Sequence, residues 1–324
     1  MNKLFSILLL LLLGCNSSSN GSPASEPTKK DKISSLSVDG TQLVDEQGEP
    51  IMLRGVSFGW HNWWPRFYNA SAVKWLKEDW NANVVRAAMG VEPEGAYLDN
   101  PDWAIEKVEA VVEGAIESGI YVIIDWHSHH IHLDEAKVFF RKMAKKYGEH
   151  PNVIYEIYNE PASDTWEEVK TYSEEVIKVI REIDPDNLIL VGSPHWDQDV
   201  HLAADDPIEG VDNLMYTLHF YAATHKSFLR DRADYALEKG LPLFISECAS
   251  MEASGNGAID MESWKAWHTW MEKNGLSWLT WSVSDKDETC SMLEPSASSG
   301  GNWQEADLKE WAVLTKKYLH ESDK

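Results

Sequence analysis

Eight short apolar stretches recur between residues 52 and 283, at 52–58, 83–89, 120–126, 153–158, 188–191, 214–220, 243–246 and 277–283. Each is close to continuously apolar rather than alternating. That is the pattern of parallel strands covered on both faces. Between them, segments at 70–80, 103–118, 133–147, 165–183, 228–239 and 263–274 place apolar residues three and four apart, which predicts helices. Gly119, Gly148, Gly240 and Gly275 each follow a helical segment, where a left-handed cap belongs. Pro185 and Pro242 end helices or open strands. Strand and helix alternating over about 285 residues predicts an α/β fold, a single (β/α)8 TIM barrel. A doubly wound open sheet is the alternative, but no G-x-G-x-x-G or P-loop pattern follows the first strand. A hairpin at 36–38 and 43–44, turned at Asp39-Gly40, is expected to plug the barrel's bottom. No internal repeat and no second folded domain are visible.

The chain opens differently. Lys3 precedes an aliphatic run from Leu4 to Leu13, closed by Gly14-Cys15. A run this short reads as an export signal, since a membrane span takes about 20 apolar residues. The Leu12-Leu13-Gly14-Cys15 segment resembles the bacterial lipoprotein signal, which implies lipidation of Cys15. Residues 16–34 are polar and aperiodic, a flexible linker. The expected division is therefore 1–15 signal peptide, 16–34 linker and 35–320 catalytic barrel. The expected location is a bacterial outer membrane or cell surface, touched only through the lipid anchor. The net charge of −24, from 29 basic and 53 acidic residues, repels phosphate backbones and excludes general nucleic-acid binding. A monomer is expected. Cys248 and Cys290 fall on neighbouring loops and form a possible disulfide in an oxidising compartment.

In a barrel of this kind chemistry collects where strands end. Arg86 lies inside the second apolar run, and the third ends Asp125-Trp126-His127. The fourth ends Tyr158-Asn159-Glu160-Pro161, and the fifth leads to Pro194-His195-Trp196. The sixth, seventh and eighth end His219-Phe220-Tyr221, Ser246-Glu247-Cys248 and Trp281-Ser282. Charged side chains at buried strand ends are costly to place without a purpose. Glu160 and Glu247 sit on the fourth and seventh strands, across the mouth from one another. Two facing carboxyl groups can protonate a leaving oxygen and supply electrons at a sugar carbon. Aromatic faces stack on sugar rings, and the chain has sixteen Trp. The combination points to glycoside hydrolysis. The His127-to-His132 segment matches neither a zinc fingerprint nor H-E-x-x-H, so no metal or other cofactor is expected and His129, His130 and His132 read as loop surface. Trp75, Trp80, Trp103, Trp264, Trp267, Trp270 and Trp311 read as helix packing. Trp60, Trp63, Trp126, Trp196, Trp281 and Trp303 read as cleft residues.

The motif Val153-Ile154-Tyr155-Glu156-Ile157-Tyr158-Asn159-Glu160-Pro161 resembles the signature of glycoside hydrolase family 5, and the likeness continues through Arg86, Asp125-Trp126-His127, His219-Phe220-Tyr221, Ser246-Glu247, Trp281-Ser282 and the Ser284–Glu288 loop. The resemblance implies a retaining endo-β-1,4-glucanase acting on cellulose or mixed-linkage β-glucan. An endo-β-mannanase, a xyloglucanase or a non-catalytic polysaccharide-binding lipoprotein are the alternatives. It further implies Glu160 as acid/base and Glu247 as nucleophile. Asn159 would bind the hydroxyl at C2, Arg86 and Tyr221 would hold Glu247, and His127 and His219 would bind hydroxyls or tune the carboxyls. Trp281 would floor the cleavage site, with Trp63 and Trp196 as platforms on either side and Lys286 and Glu288 on distal sugars. Burial and the charge of Glu247 are expected to raise the pKa of Glu160, while Arg86 keeps Glu247 ionised. Cys248 stands where many relatives carry Trp.

Overall fold

The computed structural model describes residues 33–321. Cys15, the 1–15 signal and all but the end of the 16–34 linker lie outside them. A hairpin of β1 (Ser37–Asp39) and β2 (Gln42–Val44) comes first. The alternating series follows: β3 (Arg54–Phe58), α1 (Ala70–Trp80), β4 (Val84–Gly90), α2 (Pro101–Ser118), β5 (Tyr121–His127) and α3 (Leu133–Tyr147). It continues with β6 (Val153–Glu156), α4 (Trp166–Arg181), β7 (Ile189–Val191), α5 (Val200–Asp205), β8 (Leu214–Tyr221) and α6 (Ser227–Glu238). It ends with β9 (Leu243–Ala249), α7 (Met261–Asn274), β10 (Trp278–Val283) and α8 (Glu310–Glu321). Strands β3 to β10 are all parallel and β10 pairs with β3, closing the barrel. Among the described residues no helix is long and apolar enough to cross a membrane.

Local chemistry explains the helix starts. The Asn69 side chain accepts from Ala72 N–H ahead of α1, and Asp260 accepts from Ser263 N–H ahead of α7. Thr165 and Glu168 form a reciprocal capping box at α4. Gly119 and Gly275 end their helices at φ of 67° each, as expected of left-handed caps. Gly148 differs, being right-handed at φ −61°. A Cβ there would lie 2.7 Å from Ala144 O, so closeness rather than handedness calls for glycine. Helix α5 carried too little pattern to be predicted, and α8 was expected only through Trp311 as a helix-packing residue.

Alternation along each strand sorts the interior into two levels. Val84, Ile123, Ile154, Leu190, Met215, Phe244 and Leu279 fill the lower lumen, and Leu36 and Leu43 of the hairpin join them as its plug. Two residues further along the same strands stand Arg86, Asp125, Glu156, Thr217 and Ser246, all fully buried. Outward positions such as Val85, Val122, Tyr155 and Phe220 pack against the helices.

Strand β9 breaks the alternation next to the site. Thr217 and His219 of β8 are two residues apart, yet their partners Phe244 and Glu247 on β9 are three apart. The pairing of β9 with β10 shows the same extra residue, with Trp278 opposite Ile245 and Thr280 opposite Cys248. This bulge turns Ser246 and Glu247 inward in succession.

Candidate active site

Arg86 organises the upper lumen. Its guanidinium donates to Glu156 at 2.7 and 3.1 Å, to Asn159 Oδ1 at 2.6 Å, to Ser57 Oγ at 3.3 Å and to Glu247 Oε2 at 3.2 Å. Asp125 Oδ2 lies 2.9 Å from it. An unpaired charge here would be prohibitive, and the planar fork of Arg satisfies several carboxyls at once. Tyr221 O–H donates to the other oxygen of Glu247 at 2.7 Å. Glu247 is thus held on both oxygens. Asn159, with its oxygen committed to Arg86, leaves Nδ2 buried without a partner among the described residues, a donor available to a sugar hydroxyl.

Glu160 is held by imidazoles instead. His219 Nδ1 lies 2.9 Å from its Oε1 and His129 Nε2 lies 3.3 Å from its Oε2. His219 Nε2 is bound to Ser246 Oγ at 2.8 Å and faces Asp197 at 3.4 Å. One oxygen of Glu160 and one of Glu247 lie within 4.8 Å of each other. His219 lies within the same distance of both, with its nitrogens bonded to Glu160 and to Ser246. His127 Nδ1 is 2.7 Å from Asp125 Oδ2, and its ring lies parallel to Trp281 at 5.1 Å. A cleft of about 430 Å³ opens above, lined by Glu160, Trp196, Gln198, Tyr221, His225 and Glu247.

The protonation pattern corrects one expectation. Burial pushes the Glu160 carboxyl up, but hydrogen bonds and charge from His129 and His219 outweigh it and bring the pKa to about 2. Glu247 is raised, by burial first and then by repulsion from Glu160, against the pull of His219, Arg86 and Tyr221. The expectation counted the facing carboxylate and not the two imidazoles. Burial lowers His127, with Arg86 adding to the effect, so that ring is neutral. Burial also drives Asp125 and Asp197 well above the carboxylate range.

Arg86, His127, Asn159, Glu160, His219, Tyr221, Glu247 and Trp281 are therefore brought together. Trp63 and Trp196 stand exposed nearby, and Trp63 packs on Trp60 at 4.9 Å. Lys286 and Glu288 pair with one another at 2.5 Å, and Glu288 lines an adjoining acidic hollow rather than the central cleft. The possible disulfide is absent: Cys248 and Cys290 are both free. Cys248 faces outward from β9 with Sγ on Leu279 O at 3.3 Å, whereas Cys290 Sγ faces Glu288 at 3.3 Å. Trp126 and Trp303 are core residues, packed against Phe139 and Trp80 respectively. His129 is not loop surface but turns onto Glu160. The sequence reading also passed over Glu156, Asp197 and His225. Glu156 had a signal, an acid in a buried run four residues before Glu160. Asp197 had none, because it reaches the lumen through a left-handed turn in which His195, Trp196 and Asp197 hold φ of 55°, 55° and 59°.

The cellulase profile of glycosyl hydrolase family 5 matches residues 44–287. An endoglucanase of Clostridium saccharobutylicum is 41% identical over 291 residues, covering 88% of this chain and 64% of the relative, so the chain spans under two thirds of that protein's length. A solved structure from Cytophaga hutchinsonii is 45% identical and superposes with a TM-score of 0.88 over 90% of this chain and 96% of that one. The catalytic domain of Thermobifida fusca endoglucanase Cel5A, solved with cellotetraose, gives 0.84 at 31% identity over 90% and 98% of the two chains. With the profile spanning most of the barrel, this chain belongs to glycosyl hydrolase family 5, the cellulase family.

Proposed function

We propose that this chain is a retaining endo-β-1,4-glucanase that cuts internal bonds of cellulose or mixed-linkage β-glucan. The observation that carries the reading is the approach of Glu160 and Glu247 to within 4.8 Å. Retaining enzymes keep their carboxyls about 5–5.5 Å apart, whereas inverting ones leave about 6.5–9.5 Å for a water. Glu247, fixed by Arg86 and Tyr221, attacks the anomeric carbon while Glu160 protonates the departing oxygen. A covalent glycosyl–enzyme results. Glu160 then takes a proton from water, whose oxygen displaces Glu247, and configuration is retained. Asn159 Nδ2 donates to the sugar hydroxyl beside the reacting carbon, and Trp281 floors the site. Trp63 and Trp196 extend the stacking surface on either side. The cellotetraose held by the Thermobifida relative and the endoglucanase named above support a β-glucan substrate. The Leu12–Cys15 motif supports export and lipid anchoring to a bacterial membrane, with the barrel acting as a monomer.

A panel of carboxymethylcellulose, lichenan, mannan and xyloglucan, read by reducing-end release and anomeric NMR, tests the reading. β-Anomer products from the first two support it. Preference for mannan or xyloglucan, or α-anomer products, would overturn it. Binding without release would mark a polysaccharide-capturing protein.

A further inference from the structure

The loop after β5 is tied down from two sides. Glu92, after β4, accepts from the backbone N–H of His129 at 3.0 Å and of His130 at 3.2 Å, and faces His132 Nε2 at 3.4 Å. On the other side Glu160 N–H donates to Ser128 O at 3.2 Å and Ala162 N–H to His129 O at 3.4 Å. The ring of His129 lies between Trp60, at 5.6 Å, and the carboxyl of Glu160. Each oxygen of Glu160 therefore meets one imidazole nitrogen, but the two imidazoles differ. The side chain of His219 is 1% exposed and bound on both nitrogens, whereas that of His129 is 29% exposed and reaches solvent.

We propose that His129 is a positioning residue for the acid/base, sharing the catalytic proton with Glu160 and so setting the upper pH at which the chain turns over. The proposal rests on Glu160 being the acid/base. In the first step the proton on His129 Nε2 passes through the Glu160 carboxylate to the departing glycosidic oxygen as the bond from Glu247 to the anomeric carbon forms, leaving His129 neutral and Glu160 ionised. In the second step the attacking water gives one proton to Glu160, which passes it back to His129 as the bond to Glu247 breaks. One proton leaves on the alcohol and one is recovered from water.

The groups facing His129 come from five places. Glu160 follows β6, Glu92 follows β4, His127 on β5 lies at 6.2 Å, His132 shares the loop, and the charge of Glu247 on β9 acts across the cleft. Burial disfavours the charged ring, but the hydrogen bond and charge of Glu160, then Glu92 and Glu247, raise its pKa above the ordinary histidine value of 6.5. A proton shared with this ring is retained to higher pH than one held by a carboxyl alone.

The test is kcat against pH on lichenan for wild type, His129→Gln and His129→Ala, with Glu160→Gln as control. Glutamine keeps a donor near Glu160 but cannot carry the proton. Both His129 variants are expected to move the upper limb down by about one pH unit, with KM unchanged and partial rescue of His129→Ala by imidazole. Activity on a dinitrophenyl cellobioside, whose leaving group needs no proton, is expected to fall less. An unmoved limb in His129→Gln, or an even loss at all pH values, would overturn the proposal while Glu160→Gln stays inactive. Full turnover by Glu160→Gln would instead overturn the acid/base assignment on which the proposal rests.

Discussion

The lower and upper halves of the barrel lumen are built from the same strands, two residues apart, and are chemically opposite. Below, Val84, Ile123, Ile154, Met215 and Phe244 form a dry apolar plug closed by the hairpin. Above, Arg86, Asp125, Glu156, Thr217 and Ser246 form a buried polar network. The lower half gains about 1.5–3 kcal/mol for each large side chain withdrawn from water. The upper half carries a desolvation cost, which only mutual pairing offsets. Stability and chemistry are thus separated along the barrel axis, and the two halves fail in different ways when mutated.

The largest effect belongs to Glu247→Gln, expected to lower kcat by at least about 10³-fold with the melting temperature nearly kept. Retained turnover would break the division at its centre. Arg86→Met comes next. It leaves Asp125, Glu156 and Glu247 facing one another and is expected to cost about 3–5 kcal/mol in denaturant unfolding, with activity lost as well. Leu279→Ala, in the lower half, is expected to cost about 2–5 kcal/mol while kcat of the folded fraction survives. Loss of both would show that the halves are not separable. A smaller effect sharpens the contrast through pH. Burial raises Glu156, but Arg86 outweighs it and holds the carboxyl below its ordinary value of 4.5. Its stabilisation is therefore present above 4.5 and lost as pH falls. His219 is raised above 6.5 because Asp197, Glu156 and Glu160 outweigh its burial, so its contribution is full below 6.5 and lost as pH rises through the folded value. Melting temperature should peak between these limits. Glu156→Gln should flatten the acid side, while Leu279→Ala should lower the curve without reshaping it. Smallest of all, reducing agent should leave the melting temperature unchanged, and the unfolded barrel, residues 33–321, should titrate two thiols.

The barrel was legible because parallel buried strands need long apolar runs, and the glycines and capping residues between them mark where helices stop and start. Both carboxylates were legible because an acid closing such a run has few bland explanations. What escaped depended on backbone direction. Asp197 enters the lumen from a left-handed turn that no periodicity announces. His129 is one of four histidines within residues 127–132, and beyond His127 at the end of β5 the tether to Glu92 is what holds the loop that turns His129 inward. The thiols of Cys248 and Cys290 are aimed at different neighbours, and spacing along a chain carries no such vector. Trp303 lies in the irregular segment after β10 and packs on Trp80, which no periodicity announces, and Trp126 was misplaced because its orientation on β5 is not written in its spacing. Nearness to a strand end does not reveal which side of the strand a ring occupies.

The irregular step in β9 carries the consequence furthest. Had that strand kept strict two-residue periodicity after Phe244 and Ser246, the next inward position would have been the thiol of Cys248, and the carboxylate of Glu247 would have been driven out among Phe220 and the helices. No single substitution can reproduce or repair that exchange. Only a change in strand length can, so which side chain faces Glu160 across the mouth is written in a count of residues as much as in the choice of one.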